Sequence, residues 1–183
     1  MAKLVSKTYG DALFELATED NKVDILFEEA KGILDLLNEN GEFVRMMNHP
    51  QITREEKEEV IANIFKDRVS DDMTGFLTLL VQNGRFAELQ SVIEYFIARI
   101  KDYKKIGVAY VTTPLPLSEK QKGDVEKKLL DTTEYETMEM NYSIDESLIG
   151  GMTIRVGDRV IDSSVKSKLE KLTHDLRQVK LSM

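Results

Sequence analysis

The feature that most restricts how this chain folds is a change of hydrophobic period near Lys104-Lys105. Up to that point apolar residues recur every three or four positions, as on amphipathic helices. Beyond it they alternate, as on half-buried strands. The change divides the chain into a helical part, 1–104, and a mixed part, 105–183.

In the first part Val5, Tyr9, Ala12, Leu13 and Leu16 predict one apolar helix face. A second helix is predicted over about 23–38, with Leu26, Ala30, Ile33 and Leu37 on one stripe. A short third helix, 42–47, ends at Asn48-His49-Pro50, because the residue before a proline avoids the helical region. Thr53 with Glu56 makes a capping box for a fourth helix, whose apolar face is Val60, Ile61, Ile64 and Phe65. A fifth carries Phe76, Leu77, Leu79, Leu80 and Val81 and closes at Asn83-Gly84. A sixth, about 86–103, turns Leu89, Val92, Ile93, Phe96, Ile97 and Ile100 inward. Six short helices with few residues between them predict a compact bundle.

In the second part Ile106, Val108 and Tyr110 alternate, followed by Val111, and Pro114 and Pro116 end the strand. Ser118 and Gln121 form another capping box, opening a helix with Val125 and Leu129 inward. Met138, Met140, Tyr142 and Ile144 predict a second strand, and Met152, Ile154 and Val156 a third. Gly157-Asp158 makes a hairpin turn into Arg159, Val160 and Ile161. Asp162 or Ser163 caps a last helix, in which Val165, Leu169, Leu172, Leu176 and Val179 step by four, three, four and three. The fold class is α+β overall: an N-terminal six-helix bundle followed by a small C-terminal α/β domain.

Composition removes several kinds of function. The 183 residues include no cysteine, which excludes disulfides, thiolate metal sites and a Cys nucleophile. No apolar run approaches the ~18 residues of a membrane-spanning helix. The opening Met1-Ala2-Lys3-Leu4-Val5-Ser6-Lys7 has no apolar signal core. The net charge of -8 lies almost wholly in 1–104 and speaks against nucleic acid as a partner. The final stretch reverses sign, with Lys166, Lys168, Lys171, Arg177 and Lys180 against Glu170 and Asp175.

No catalytic constellation emerges. His49 is explained by its turn, and His174 lies off the apolar stripe of the last helix. Gly150-Gly151 and Gly157 fit no phosphate-loop spacing and precede a strand rather than a helix. Ser163 is placed for capping, without a nucleophile elbow. Glu55, Glu56, Glu58 and Glu59 read as a solvated helix face, and Met138, Met140 and Met152 as core packing. One arrangement has two readings. On a helical wheel Phe14 lies opposite the apolar face of the first helix, with Gly10 and Ala17 beside it. Such a small–large–small surface admits another helix closely, either a guest helix or the sixth helix of the chain itself.

The segment from Met138 to Leu172 resembles the signature region of the delta subunit of F-type ATP synthases, the family of the mitochondrial oligomycin-sensitivity-conferring protein. The matching residues are Met138, Met140, Ile144, Asp145, Leu148, Gly150-Gly151-Met152, Ile154-Arg155, Gly157-Asp158, Val160-Ile161-Asp162-Ser163-Ser164-Val165 and Leu169. The run from Tyr9 to Ala17 resembles the family's opening helix, and Asn83-Gly84-Arg85 its turn after the fifth helix. Lys7 and Gly10 depart from the commoner Arg and Ala.

The resemblance implies a non-catalytic stator subunit without cofactor, present once per complex. It implies that 1–104 binds the N-terminal helices of the alpha subunits on the catalytic head, and that 105–183 binds the C-terminal helices of the b subunits of the peripheral stalk. Rotation is thereby coupled to proton flow and ATP synthesis at the cytoplasmic face of the cell membrane. It implies head-binding residues on the first helix, Tyr9, Ala12, Leu13 and Phe14, and on the fifth, Phe76, Leu79, Leu80 and Asn83. Packing within the bundle accounts equally well for Leu13 and Leu79. The region 150–158 is explained by backbone geometry or by a stalk-facing surface. The apolar stripe of the last helix suits either an acidic partner helix or its own sheet. An RNA-binding module and an unrecognised enzyme are the competing classes, the first opposed by the acidic charge and the second by the lack of a site.

Overall fold

The computed structural model describes residues 2–169, 171 and 172. The chain divides into two compact units, the first ending at Lys101 and the second beginning at Asp102. The class is α+β, helices followed by a four-stranded mixed sheet.

The helices ahead of the sheet are α1 (Ala2–Glu19), α2 (Val23–Glu39), α3 (Gly41–Met47), α4 (Arg54–Phe65), α5 (Asp71–Gln82) and α6 (Leu89–Tyr103), the last entered through a 3-10 turn at Phe86–Glu88. Their ends are chemically defined. At α4 the Thr53 hydroxyl accepts from the Glu56 N–H, and the Glu56 carboxylate accepts from the Thr53 N–H at 2.8 Å. Such a cap contributes about 1 kcal/mol. The start of α5 is tied to α2, because Ser70 donates its N–H and hydroxyl to the Glu29 carboxylate at 2.7 and 2.8 Å. The end of α5 is a Schellman turn: Gly84 sits at φ +65°, Arg85 N–H reaches Leu80 O at 2.8 Å, and Gly84 N–H reaches Val81 O at 2.9 Å.

One apolar core serves these helices, and α6 contributes its most deeply buried residues, Val92, Ile93, Phe96 and Ile100. Burying a side chain like Phe96 is worth roughly 1.5–3 kcal/mol. The position of α1 corrects the hydrophobic pattern. Its buried seam is Ser6, Gly10, Leu13 and Ala17, while Ala12 is exposed and Tyr9, Phe14 and Leu16 are half-buried. The small residues do not line a groove for a guest. A Cβ on Gly10 would strike the ring of Tyr95 from α6. Beside it the Ser6 and Ser91 hydroxyls are hydrogen-bonded at 2.8 Å, and the Tyr95 hydroxyl donates to Asp11 at 2.9 Å. Serine and glycine carry little hydrophobic signal, yet the space that Gly10 leaves seats the Tyr95 ring directly against the α1 backbone, and that contact sets the rotation of α1.

In the second unit β1 (Ile106–Thr113), α7 (Glu119–Thr132) and β2 (Thr137–Ile144) form a β-α-β crossover, completed by β3 (Thr153–Val156) and β4 (Arg159–Asp162). The strand order is β2-β1-β3-β4, with β1 parallel to β2 and antiparallel to β3. Register puts Ala109 opposite both Met140 and Val156. That face packs under Val125 and Leu129 of α7. Only the first half of β2 is covered, since Tyr142 and Ile144 are exposed. Lys105 enters β1 in the left-handed region, φ +51°, its N–H bonded to Asp102 O and its carbonyl accepting from Glu136 N–H at 2.8 Å.

Two glycines separate packing from propensity. Gly10→Val should lower unfolding stability by about 1–3 kcal/mol through the clash with Tyr95. Gly32→Ala, in open space within α2, should raise it by roughly 0.5–1 kcal/mol. Urea unfolding midpoints of the two variants check both signs.

Candidate functional site

Among the described residues no group of His, Asp and Glu side chains is arranged to hold a metal ion. His49 accepts the Gln51 N–H on its Nδ1 at 3.3 Å and so serves its turn. His174 lies outside the described residues. Ser163 donates its hydroxyl to Met152 O at 2.9 Å rather than capping the last helix. A broad depression of about 950 Å³ in the second unit has Leu129, Tyr135, Val156 and Ile161 in its walls. Asp102, Glu134 and Asp158 stand around it with Lys105 and Arg159. That mixture of signs selects no single charged ligand.

What remains is surface. On the first unit the predicted contact residues divide by burial. Leu13, Phe76 and Leu80 belong to the core, at 1%, 8% and 0% exposure. Tyr9 and Phe14 are half-buried against that core, and the Phe14 ring lies under the Arg99 guanidinium, 5.3 Å from its centroid. Ala12, Leu79 and Asn83 face solvent. Leu79 is 46% exposed, and Gly75, one helical turn earlier, has nothing near its missing Cβ. α5 therefore buries Met73, Phe76, Leu77, Leu80 and Val81 and leaves Leu79 outside. Asn83 is also the C-cap of α5, its N–H bonded to Leu79 O at 3.0 Å. Both α1 and α5 pack against the Phe86–Glu88 turn.

On the second unit the last helix, described over 165–169 and 171–172, leaves its apolar stripe in solvent rather than packing it on the sheet, one of the two directions the sequence left open. Its cap is Ser164, fully buried, whose hydroxyl accepts the Ser167 N–H at 3.3 Å. Asp162, expected as the cap, lies one step further back. It accepts the Ser164 N–H at 2.8 Å and the Ser167 hydroxyl at 2.6 Å. The serine seam thus faces inward, and Val165, Leu169 and Leu172 are 37%, 50% and 58% exposed. Lys166, Lys168 and Lys171 are exposed as well. Leu176, Val179, Arg177, Lys180, Asp175 and Glu170, expected on the same helix, lie outside the described residues. The four-three spacing locates the stripe but gives it no direction. The serines carry the signal for the outward orientation, since they hydrogen-bond to the sheet end.

Comparisons with known proteins agree along the whole chain. The family model described as ATP synthase delta (OSCP) subunit matches residues 5–176. The chain is 51% identical over 181 residues to the ATP synthase subunit delta of Lachnoclostridium phytofermentans, covering 99% of this chain and 100% of that one. It is 31% identical over 179 residues to the ATP synthase subunit delta of Alkaliphilus oremlandii, covering 98% and 99%. Among solved structures, one chain of the Toxoplasma gondii mitochondrial ATP synthase hexamer matches with a TM-score of 0.73 at 23% identity. That match covers 93% of this chain and 96% of that one and is a likeness of fold.

The serine seam has a pH signature. The hydrogen bond from Ser167, and after it those from Ser164, pull the Asp162 carboxyl from its ordinary 3.8 to about 2. A carboxyl depressed in the folded state stabilises it fully above the unfolded value, and that contribution is lost as pH falls through the folded value. The amide chemical shifts of Ser164 and Ser167 should therefore hold steady above about pH 4 and titrate toward a midpoint near 2. Asp162→Asn should abolish the step. A midpoint at the ordinary carboxylate value would mean that the seam is not formed.

Proposed function

The chain belongs to the ATP synthase delta (OSCP) subunit family, and from that premise we propose that it joins the catalytic head to the peripheral stalk through two separate surfaces. Proteins of this family are structural subunits of ATP synthase and not enzymes by themselves, and the chain serves ATP synthesis and proton transport in that capacity. In this reading the N-terminal domain, a six-helix bundle over 1–104, holds the N-terminal helices of the alpha subunits. The smaller domain, 105–183, holds the C-terminal helices of the b subunits. One copy serves each complex, at the cytoplasmic face of the cell membrane. No helix among the described residues is long and apolar enough to cross a membrane.

The observation that carries the reading is the full-length relationship, 51% identity over 99% of the chain, which leaves no part of the sequence outside the family pattern. The physical features support it. A connector needs separately folded ends with apolar contact area left over. Each unit has its own core, and each leaves apolar side chains in solvent: Leu79 in the first, Val165, Leu169 and Leu172 in the second. For the head-facing surface the exposed residues Ala12, Leu79 and Asn83 are the direct contacts, with Tyr9 and Phe14 at their margin. Leu13, Phe76 and Leu80 act from beneath by fixing the helices.

Calorimetric titration of the full chain into catalytic head complex stripped of this subunit should show one-to-one binding. Ala12→Glu and Leu79→Glu should each weaken it by about tenfold or more, roughly 1.4 kcal/mol, with little change in melting temperature. Leu13→Ala should instead cost about 2–5 kcal/mol of folding stability. No binding by the folded wild-type chain would refute the head half of the proposal. Normal binding by both glutamate variants would move the contact away from α1 and α5.

A further inference from the structure

Ile149 breaks two local rules at once. Its backbone lies at φ +66°, ψ −42°, and the Gly150 N–H returns to Leu148 O at 2.7 Å, closing a positive-φ γ-turn. That turn is rare for any residue and costly for a β-branched one. The side chain does not recover the cost by burial, because it is 69% exposed. Glycine would adopt the turn without strain, and a polar residue would suit the solvent.

The turn is held from both sides. On one flank the Asp145 carboxylate accepts the Ser147 N–H at 2.9 Å, and Asp145 O accepts the Leu148 N–H at 3.2 Å. On the other, the Gly150 carbonyl accepts the Val165 N–H at 2.9 Å, and a Cβ on Gly151 would strike the Ser163 carbonyl. Val165 Cγ2 lies 3.0 Å from where a Gly150 Cβ would stand. The Ile149 turn therefore adjoins the first residue of the outward stripe Val165, Leu169 and Leu172. Strain that persists beside an uncovered apolar surface is what a pre-set contact looks like before its partner arrives.

We infer that the Leu148–Gly150 turn presents Ile149 as an apolar anchor for an amphipathic, acid-flanked helix of the stalk partner, which lies along the last helix. This rests on the stalk half of the proposed function and adds to it the residue and the chemistry of recognition. The stripe runs over eight residues of helix, with about 10 Å between its ends, a length matched by two turns of a second helix. Its flanks carry Lys166 on one side and Lys168 on the other, both exposed, so carboxylates beside the partner's apolar stripe complete the pairing. A second copy of this chain fits less well, since a two-fold pairing of the same face would oppose these lysines with themselves.

The test uses the full chain and the soluble part of the b subunit of the same synthase, with calorimetry for binding and thermal melting for stability. Ile149→Gly should melt a few degrees higher than wild type and bind the b subunit at least about tenfold more weakly. Ile149→Ala should also bind weakly, and Ile149→Leu should keep most of the affinity. A lower melting temperature for Ile149→Gly would overturn the strain, and unchanged affinity in all three variants would overturn the anchor. Self-association of wild type that Ile149→Gly abolishes would make a second copy the occupant. Failure of wild type to bind would refute the stalk reading itself, which distinguishes that failure from a wrong anchor.

Discussion

Where α1 crosses α6, the absent side chain of Gly10 leaves room for the ring of Tyr95, and much of the first unit's outer surface follows from that contact. The ring fixes the rotation of α1, so that Ser6, Gly10, Leu13 and Ala17 face inward and Ala12 faces out. The Tyr95 hydroxyl, held by Asp11, sets the helices along their length, and Arg99, 3.7 Å from Asp11, spreads over Phe14. An exposed ion pair of that kind is worth little in stability. Its place is geometric: it sets the Arg99 guanidinium over the half-buried Phe14 ring.

The second unit meets a different limit. It has few residues from which to build a core, and among the described residues its buried apolar side chains are Ala109, Val111, Leu129, Met138 and Val156, with partly buried neighbours. Small domains bury a smaller share of their surface. One helix, α7, covers one stretch of one sheet face. The far end of β2, the hairpin residues Val160 and Ile161, and the last helix keep apolar side chains in solvent. In an isolated domain this is a liability. In the connector role proposed for this chain it would serve as contact area.

Much of this was legible in the sequence because it depends on period and caps. Thr53 with Glu56 and Ser118 with Gln121 form the capping boxes that their spacing announces. The alternation through Met138 and Met140 places both against the core of the sheet. Three features were not legible, each for a physical reason. Two residues of the α1 seam, Ser6 and Gly10, are ones that hydrophobicity scales hardly register. The last helix leaves its apolar side in solvent while its cap Ser164 is buried and Asp162 and Ser167 pair at its start, and a periodic pattern gives a stripe without a direction. The strain at Ile149 is a backbone property of a residue type that ordinarily avoids it, so no composition or spacing announces it.

The strand order has a mechanical consequence. Chain enters the sheet at the start of β1 and leaves it at the end of β4, and these strands, each antiparallel to β3 between them, run in the same direction. Tension applied through the chain at those two points pulls β1 and β4 lengthwise in opposite senses. The ladder bonds of an antiparallel pair lie across the strands, so this load is shared among them in shear and does not peel them open one at a time. A sheet wired in this order resists a sustained tug much as a lap joint does.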